Sequence, residues 1–509
     1  MRIFDTYVQK LKYKVLTELA RQTWVGNDAF SVFNDIANQV VKKGEPTMSC
    51  CIYKDRAIVA ERIRIALGGK KEDHNVIQVI DIACDECPVA GHVVTDLCRG
   101  CVAHACVDAC KLGAITVDSH QKAEIDKSKC VECGKCAKSC PYSAIANFKR
   151  PCERACKVDA ISMAPDGVAQ IDSEKCIECG ACVYKCPFGA TLDVSSITDI
   201  IKTIVDSDNN KNYHVHAIVA PAIAGQFQYA KAGQLISAIR ELGFYAVEEV
   251  ALGADIVAYK EAQELQEKGF LTSSCCPAFV KYIKMKFPQL AEHISHNLSP
   301  MAETGKLIKE QDPAAKIVFI GPCTAKKGEV RKPEVHQYVD YVMTFEELQA
   351  MIDSKDIAVD QLPETELDTA TYYGRVFART GGLSEAVTEA VREQKAAAEA
   401  AKADAPDGAG TSGAVASGES GASGKPANGD GACDGDSADS KPFVFDPIVC
   451  DGIDSCKTAL LRASKGLLPN NFIEGMVCTD GCIGGAACLS HGNADKRAID
   501  NYGKKASHK

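Results

Sequence analysis

The chain has 509 residues, 27 of them cysteine, and a formal net charge of −10. With 46% apolar and 25% charged residues it has a globular balance, and its length calls for more than one domain. The acidic balance argues against nucleic acid as a partner, and no apolar run is long enough to predict a membrane span.

Residues 1–80 read as a helical N-terminal segment. Val8, Leu11, Val15 and Leu19 recur at helical spacing and share one face, the pattern of an amphipathic packing helix. The opening residues show neither the apolar core of a secretory signal nor a twin-arginine motif. A cytoplasmic location is expected, with thiols kept reduced and able to act as ligands. Cys50 and Cys51 have no partner at ligand spacing and read as ordinary thiols. Residues 81–195 hold sixteen cysteines. Residues 196–393 read as α/β: IVAPAI and KIVFIGP are buried-strand patterns, and GQLISAIRELGF and LSEAVTEAVREQ are helical ones. Residues 394–441 turn to Ala, Gly, Ser, Asp and Pro, and are expected to form a disordered insertion because they can bury too little surface to offset their ordering entropy. Cys433 falls inside it without a role. Residues 442–509 return to an ordered composition.

Two stretches in the cysteine-rich part, CVECGKCAKSCP and CIECGACVYKCP, follow C-x2-C-x2-C-x3-C-P, the bacterial ferredoxin run for 4Fe–4S clusters. The first contains Cys130, Cys133, Cys136 and Cys140; the second contains Cys176, Cys179, Cys182 and Cys186. Three closely spaced thiolates reach three irons of one cubane, and the fourth cysteine serves the neighbouring cluster. Zinc also uses paired C-x2-C, but three cysteines at two-residue gaps followed by C-P are a poor zinc spacing.

The swapped fourth ligand requires partners upstream, and Cys98, Cys101, Cys106 and Cys110 supply them. One set is Cys98, Cys101, Cys106 and Cys140; another is Cys130, Cys133, Cys136 and Cys110. HACVDACKLGAI is echoed by RPCERACKVDAI, an internal repeat in which Cys156 completes a set with Cys176, Cys179 and Cys182. Cys152 and Cys186 then need two companions. Cys84 and Cys87 are the nearest unused pair, although they could exchange roles with Cys98 and Cys101. Three to four accessory clusters are therefore expected, and a row of them reads as an electron wire rather than a structural staple.

Three motifs follow residue 270: Ser273-Ser274-Cys275-Cys276-Pro277-Ala278-Phe279, Pro322-Cys323-Thr324-Ala325-Lys326-Lys327-Gly328-Glu329, and Glu474-Gly475-Met476-Val477-Cys478-Thr479-Asp480-Gly481-Cys482-Ile483-Gly484-Gly485. In this order, behind ferredoxin-like modules, they closely resemble the signature set of the iron-only hydrogenases: TSCCPxW, PCxxKxxE and ExMxCxxGCxxGG. The resemblance covers roughly residues 80–393 and 442–490. It implies a multidomain α+β and α/β fold, with tandem ferredoxin-like modules ahead of a two-lobed α/β catalytic domain.

The resemblance also implies a catalytic cluster, a 4Fe–4S cubane joined to a two-iron unit with carbonyl, cyanide and a bridging dithiolate amine. Cys276, Cys323, Cys478 and Cys482 would hold the cubane, Cys482 as the bridge. Cys275 would hand protons to the amine, a role open to a thiol of pKa about 8–9, which can cycle protons near neutral pH. Lys326 would donate to a cyanide, Glu329 would continue the proton path outward, and Glu261 and Ser295 fall at relay positions. The reaction implied is 2H⁺ + 2e⁻ ⇌ H₂, with ferredoxin as electron carrier and maturation proteins as builders of the two-iron unit.

Departures from the pattern fall at Ser273, Phe279, Gly321 and Ala486-Ala487-Cys488-Leu489. They resemble the branch often called group B and are expected beside the two-iron unit, where they bear on rate rather than on cluster assembly. Cys450, Cys456 and Cys488 have no assigned role. The rival readings are a hydrogenase-like iron–sulfur assembly or binding protein, a hydrogen sensor, and a subunit of an electron-bifurcating complex whose flavin and nicotinamide chemistry would lie in its partners.

Overall fold

A computed structural model describes residues 4–27, 31–44, 51–70, 73–85, 87–88, 90–403 and 443–507. Cys50, Cys433 and the expected insertion from residue 404 onward lie outside the described residues.

The N-terminal segment begins with the helix Tyr7–Trp24. A capping box starts it: the Gln9 amide donates to the Thr6 hydroxyl, and the Thr6 amide donates to the Gln9 side chain. Leu11, Val15 and Leu19 are buried against the helices Phe345–Ser354 and Ile197–Asp206, and Val8 is half-buried. Helices Phe33–Val40 and Ile52–Ala66 follow. The end of the segment departs from the helical expectation. In NVIQVIDI the β-branched residues Val76, Ile77, Val79 and Ile80 favour an extended chain, and Ile77–Val79 pairs antiparallel with Thr191–Asp193. That pairing ties the two ends of the cysteine-rich region together.

Between those strands lie short helices and two-stranded hairpins. Ile115–Val117 pairs with Ala123–Ile125, and Ile161–Met163 pairs with Ala169–Ile171, in equivalent register. The repeat read in the sequence is therefore also a repeat of hairpins.

The remainder is built on two parallel sheets. One has the strand order Ala246–Glu249, Val215–Val219, Lys316–Gly321, Tyr341–Thr344. The other has Leu271–Thr272, Phe472–Met476, Pro447–Asp451. Near-continuous apolar runs such as IVFI suit strands covered on both faces. One face of the larger sheet shares a core with the N-terminal helices through Leu19, Ile63, Val215, Ile239 and Phe345. Its other face packs Ile218, Phe319, Met301 and Val339. The helix Gly382–Ala403 does not stop at residue 393, where disorder was expected to begin. KAAAEAAKA consists of strong helix formers and continues the helix to Ala403.

Candidate functional site

The three signature motifs leave the carboxyl ends of parallel strands, where open α/β sheets gather ligands. Cys276 follows Leu271–Thr272 and precedes the helix Pro277–Lys286, with proline in its first turn. Cys323 follows Lys316–Gly321, and Cys478 follows Phe472–Met476. The third motif is carried by Glu474, which is fully buried and accepts from the amides of Gly381 (2.7 Å) and Ser384 (2.8 Å). A carboxylate at the start of Gly382–Ala403 meets the positive end of that helix.

Cys275, Cys276, Cys323, Cys478, Cys482 and Lys326 line one cavity of about 100 Å³, whose other walls are mostly apolar. Burial pushes the Cys323 thiol up to about 11 and Cys482 to about 12, and raises Cys276 and Cys478 as well. Four buried thiols around a mostly apolar cavity resist ionising alone, whereas iron coordination deprotonates a thiol outright. No three described cysteine sulfurs lie within 4.8 Å of one another. Four thiolates on one zinc, at about 2.3 Å from the metal, would stand only about 3.8 Å apart. Soft donors, wide spacing and a cavity at their centre fit a cubane with a second metal unit beside it.

Lys326 is buried, with its ammonium 2.6 Å from a Glu329 oxygen and 3.4 Å from the Cys275 carbonyl. Burial lowers its pKa, but Glu329 and the nearby thiols more than reverse this and keep it charged. Glu329 stands against that ammonium. Its carboxylate is engaged in holding the lysine at the cavity wall, because a buried ammonium without a counter-charge is costly.

On another side of Cys275 stands Glu261. Glu261 is wholly buried beside Cys275, and accepts from the Ser274 amide at 3.3 Å. Its other oxygen, Oε2, is buried without a hydrogen-bond partner. Burial raises its pKa from 4.5 to about 7, partly offset by the Ser274 amide and the Ser295 hydroxyl. Ser295 in turn donates to Glu264 at 3.2 Å. Glu264 reaches the surface, where it meets the Lys268 ammonium and the His296 ring, both at 2.7 Å. Sequence reasoning missed Glu264. The signal was present, since Glu261 and Glu264 are three apart on the helix Val250–Lys268 and share a face.

Of the departures, only Ala486 lines the cavity. Phe279 lies behind the wall, fully buried with its ring against Gly475; a Cβ there would come within 2.2 Å of the ring. Gly321 is also behind the wall. The Phe319 ring occupies the space a side chain at 321 would take, and it is Phe319 that reaches the cavity. Ala486 packs on Gly180 of the second ferredoxin run, which has φ +73° and leaves no room for a Cβ. Thr324 seals the same contact by donating to the Glu178 carbonyl at 2.7 Å. Cys179 consequently lines the cavity of Cys275, Cys276, Cys323, Cys478 and Cys482.

The other cysteines gather in groups. Cys98, Cys101, Cys106 and Cys140 line one small cavity. Cys130 and Cys133 are charge neighbours of Cys136, and Cys110 packs in the same apolar cluster. Cys176, Cys179, Cys182 and Cys156 are mutual neighbours. Cys152 has Cys186, Cys84 and Cys87 around it. Arg150 fastens this last pair, donating to the Cys84 sulfur (3.4 Å) and the Cys87 carbonyl (3.1 Å). Each swapped cysteine accepts the amide of the alanine four residues on: Ala114 to Cys110 (3.3 Å), Ala144 to Cys140 (3.4 Å), Ala160 to Cys156 (3.2 Å) and Ala190 to Cys186 (3.3 Å). Such bonds to sulfur tune a cluster's potential. Cys450 and Cys456 are buried neighbours behind the third motif, and the Cys488 thiol donates to the Ile483 carbonyl at 3.2 Å.

Residues 213–486 match the family model for the iron-only hydrogenase large subunit, C-terminal domain. Residues 97–144 and 150–190 each match a 4Fe-4S dicluster domain. Iron hydrogenase 1 of Clostridium pasteurianum is 29% identical over 308 residues, covering 54% of this chain and 52% of that protein. The periplasmic Fe hydrogenase large subunit of Nitratidesulfovibrio vulgaris is 31% identical over 178 residues, 30% of this chain and 42% of that one. The cytosolic Fe-S cluster assembly factor NAR1 of Kluyveromyces lactis is 37% identical over 95 residues, 19% and 20% of the two chains. The chain thus spans about half the length, or less, of these curated relatives. A solved FeFe-hydrogenase of Chlamydomonas reinhardtii aligns with a TM-score of 0.45 at 20% identity, over 62% of this chain and 91% of the other. Among the described residues no helix is long and apolar enough to cross a membrane.

Proposed function

Since the chain belongs to the iron-only hydrogenase large-subunit family, we propose that it interconverts protons and molecular hydrogen, 2H⁺ + 2e⁻ ⇌ H₂, at the cavity of Cys275. The reading is carried by the row Cys275, Glu261, Ser295, Glu264: Cys275 borders the mostly apolar cavity, Glu261 is buried beside it, and Ser295 donates to Glu264 near the surface. A protein that only carried a cluster would have no use for it. Cys276, Cys323, Cys478 and Cys482 would hold a cubane and, through Cys482, a two-iron unit. When bound, that unit supplies the open iron and basic amine needed for heterolytic splitting of H₂. The chain's own residues do the rest. Cys275 exchanges a proton with the cavity, and Glu261, able to titrate near neutral pH, exchanges it with Cys275. Ser295 passes it by hydroxyl rotation to Glu264 and so to solvent. Lys326, held by Glu329, offers a fixed cation to an anionic ligand.

Electrons would enter through four accessory clusters on the cysteine groups described above. The cluster of Cys176, Cys179, Cys182 and Cys156 would be the last station, since Cys179 borders the cavity. Ferredoxin is the proposed carrier, maturation proteins the proposed builders, and the cytoplasm the proposed location. The matches to assembly factors favour a second reading, an iron–sulfur assembly protein without the two-iron unit. Anaerobic maturation followed by infrared spectroscopy and hydrogen-evolution assay separates the two. Carbonyl and cyanide bands with turnover, lost from turnover but not from the spectrum in Cys275→Ala, are expected; absence of the bands from fully matured protein would sink the hydrogenase reading.

A further inference from the structure

At the amino end of the strand Val215–Val219, opposite the end that leads into the cluster cavity, stand His214, His216 and Asp312. Alternation along the chain puts both histidines on one side of the sheet. Asp312 ends the helix Pro300–Gln311 and is brought alongside by the turn into Lys316–Gly321. One donor atom from each of the three lies within 4.8 Å of the others.

His216 is the informative member. Its side chain is 9% exposed. Nδ1 lies 2.8 Å from Glu248 Oε1, and a carboxylate can only accept, so Nδ1 carries the proton. In the neutral ring Nε2 then presents a lone pair, and it is buried with no hydrogen-bond partner. A buried acceptor left unmade is costly. A carboxylate that fixes a histidine's tautomer and leaves the other nitrogen bare is the arrangement seen behind metal-bound histidines. His214 is restrained as well: its ring stacks on Tyr245 at 3.8 Å, and its Nδ1 lies 2.7 Å from Asp312 Oδ2.

We propose that His214, His216 and Asp312 form a second metal site, separate from the iron–sulfur centres, that takes a borderline divalent cation of the zinc class. Two imidazoles and a carboxylate suit zinc and not the soft iron–sulfur chemistry of the cysteines. Water fills the fourth position, since His214 and Asp312 are partly exposed. The cation replaces the His214–Asp312 hydrogen bond and satisfies His216 Nε2. It would fasten the end of the helix Pro300–Gln311, whose first residues border the cluster cavity, to the sheet.

The test uses cluster-replete protein, dialysed anaerobically against buffered zinc, with iron and zinc counted per chain and the zinc edge examined by X-ray absorption. Wild type should hold one zinc more than His216→Ala and Asp312→Asn, with nitrogen and oxygen at about 2.0–2.1 Å and no sulfur at about 2.3 Å. Asp312→Asn keeps a capping oxygen at a partly exposed position, so it decides the matter if His216→Ala fails to retain iron. Equal zinc in wild type and Asp312→Asn, or a shell of sulfur, would overturn the site.

Discussion

Glu261 concentrates the residue-scale chemistry. Its folded pKa is raised, to about 7, so its neutral form is favoured by folding. Stability from this group is fully present below the ordinary 4.5 and lost as pH rises through about 7. Glu261→Gln should therefore slow turnover at least about tenfold through loss of a relay group, yet stabilise the fold relative to wild type above pH 7. Unfolding midpoints at pH 6 and pH 8 would show it, the gap between variant and wild type widening at the higher pH. Glu264→Gln, with its side chain near solvent, should slow turnover without that stability signature. The gathering of Cys275, Cys276, Cys323, Cys478 and Cys482 around one cavity was legible from the motifs. Glu264 and the Lys326–Glu329 contact were not read, although each lies three residues from its neighbour along a helix.

At the scale of elements, the hairpin repeat and the strand ends determine where ligands converge. The division of sixteen cysteines among sets was only partly readable. Spacing left Cys84 and Cys87 interchangeable with Cys98 and Cys101, and the Ile77–Val79 strand with Arg150 sends the first pair toward Cys152 and Cys186. Replacing both Cys84 and Cys87 by serine should remove about four irons per chain and leave the cavity of Cys98 intact, as iron analysis with electron paramagnetic resonance would report. The strand Phe472–Met476 offers a second check. Gly475→Ala would drive a methyl group into the Phe279 ring, and overpacking of that kind costs about 1–3 kcal/mol; a denaturant midpoint unchanged from wild type would contradict the packing described. The sequence pattern marked Phe279 as a departure but could not show that it lies behind the cavity wall.

Across the whole molecule, one buried charge network joins three regions. Lys12 of the first helix meets Asp193 (2.5 Å) and Glu346 (2.6 Å), while Lys327 of the second motif meets Asp193 (2.8 Å) and Glu347 (2.9 Å). Burial pushes the Asp193 carboxyl up, but Lys12 and Lys327 more than reverse it and hold it well below the usual range. Its contribution is thus present above the ordinary 3.8 and lost only as pH falls further. Asp193→Asn leaves two buried ammonium groups short of a counter-charge, which costs about 3–5 kcal/mol. Limited proteolysis at neutral pH should then release the N-terminal helix early; a digestion pattern identical to wild type would refute the network's role. None of this was visible in the composition, because its members lie far apart along the chain.

The cavity cysteines also have a mechanical side. Cys276 and Cys323 precede residues 404–442, and Cys478 and Cys482 follow them. A cubane on all four would act as a cross-link closing a loop on the order of 150 residues, a constraint on the unfolded chain of about 5 kcal/mol in the chain-entropy picture. The strand Phe472–Met476, central in its sheet, would thus be clipped in place by the group it helps to bind. Loss of iron would then loosen the C-terminal part of the chain as well as silence the site, and damage to the cluster would be read by the cell's proteases as an unfolding event.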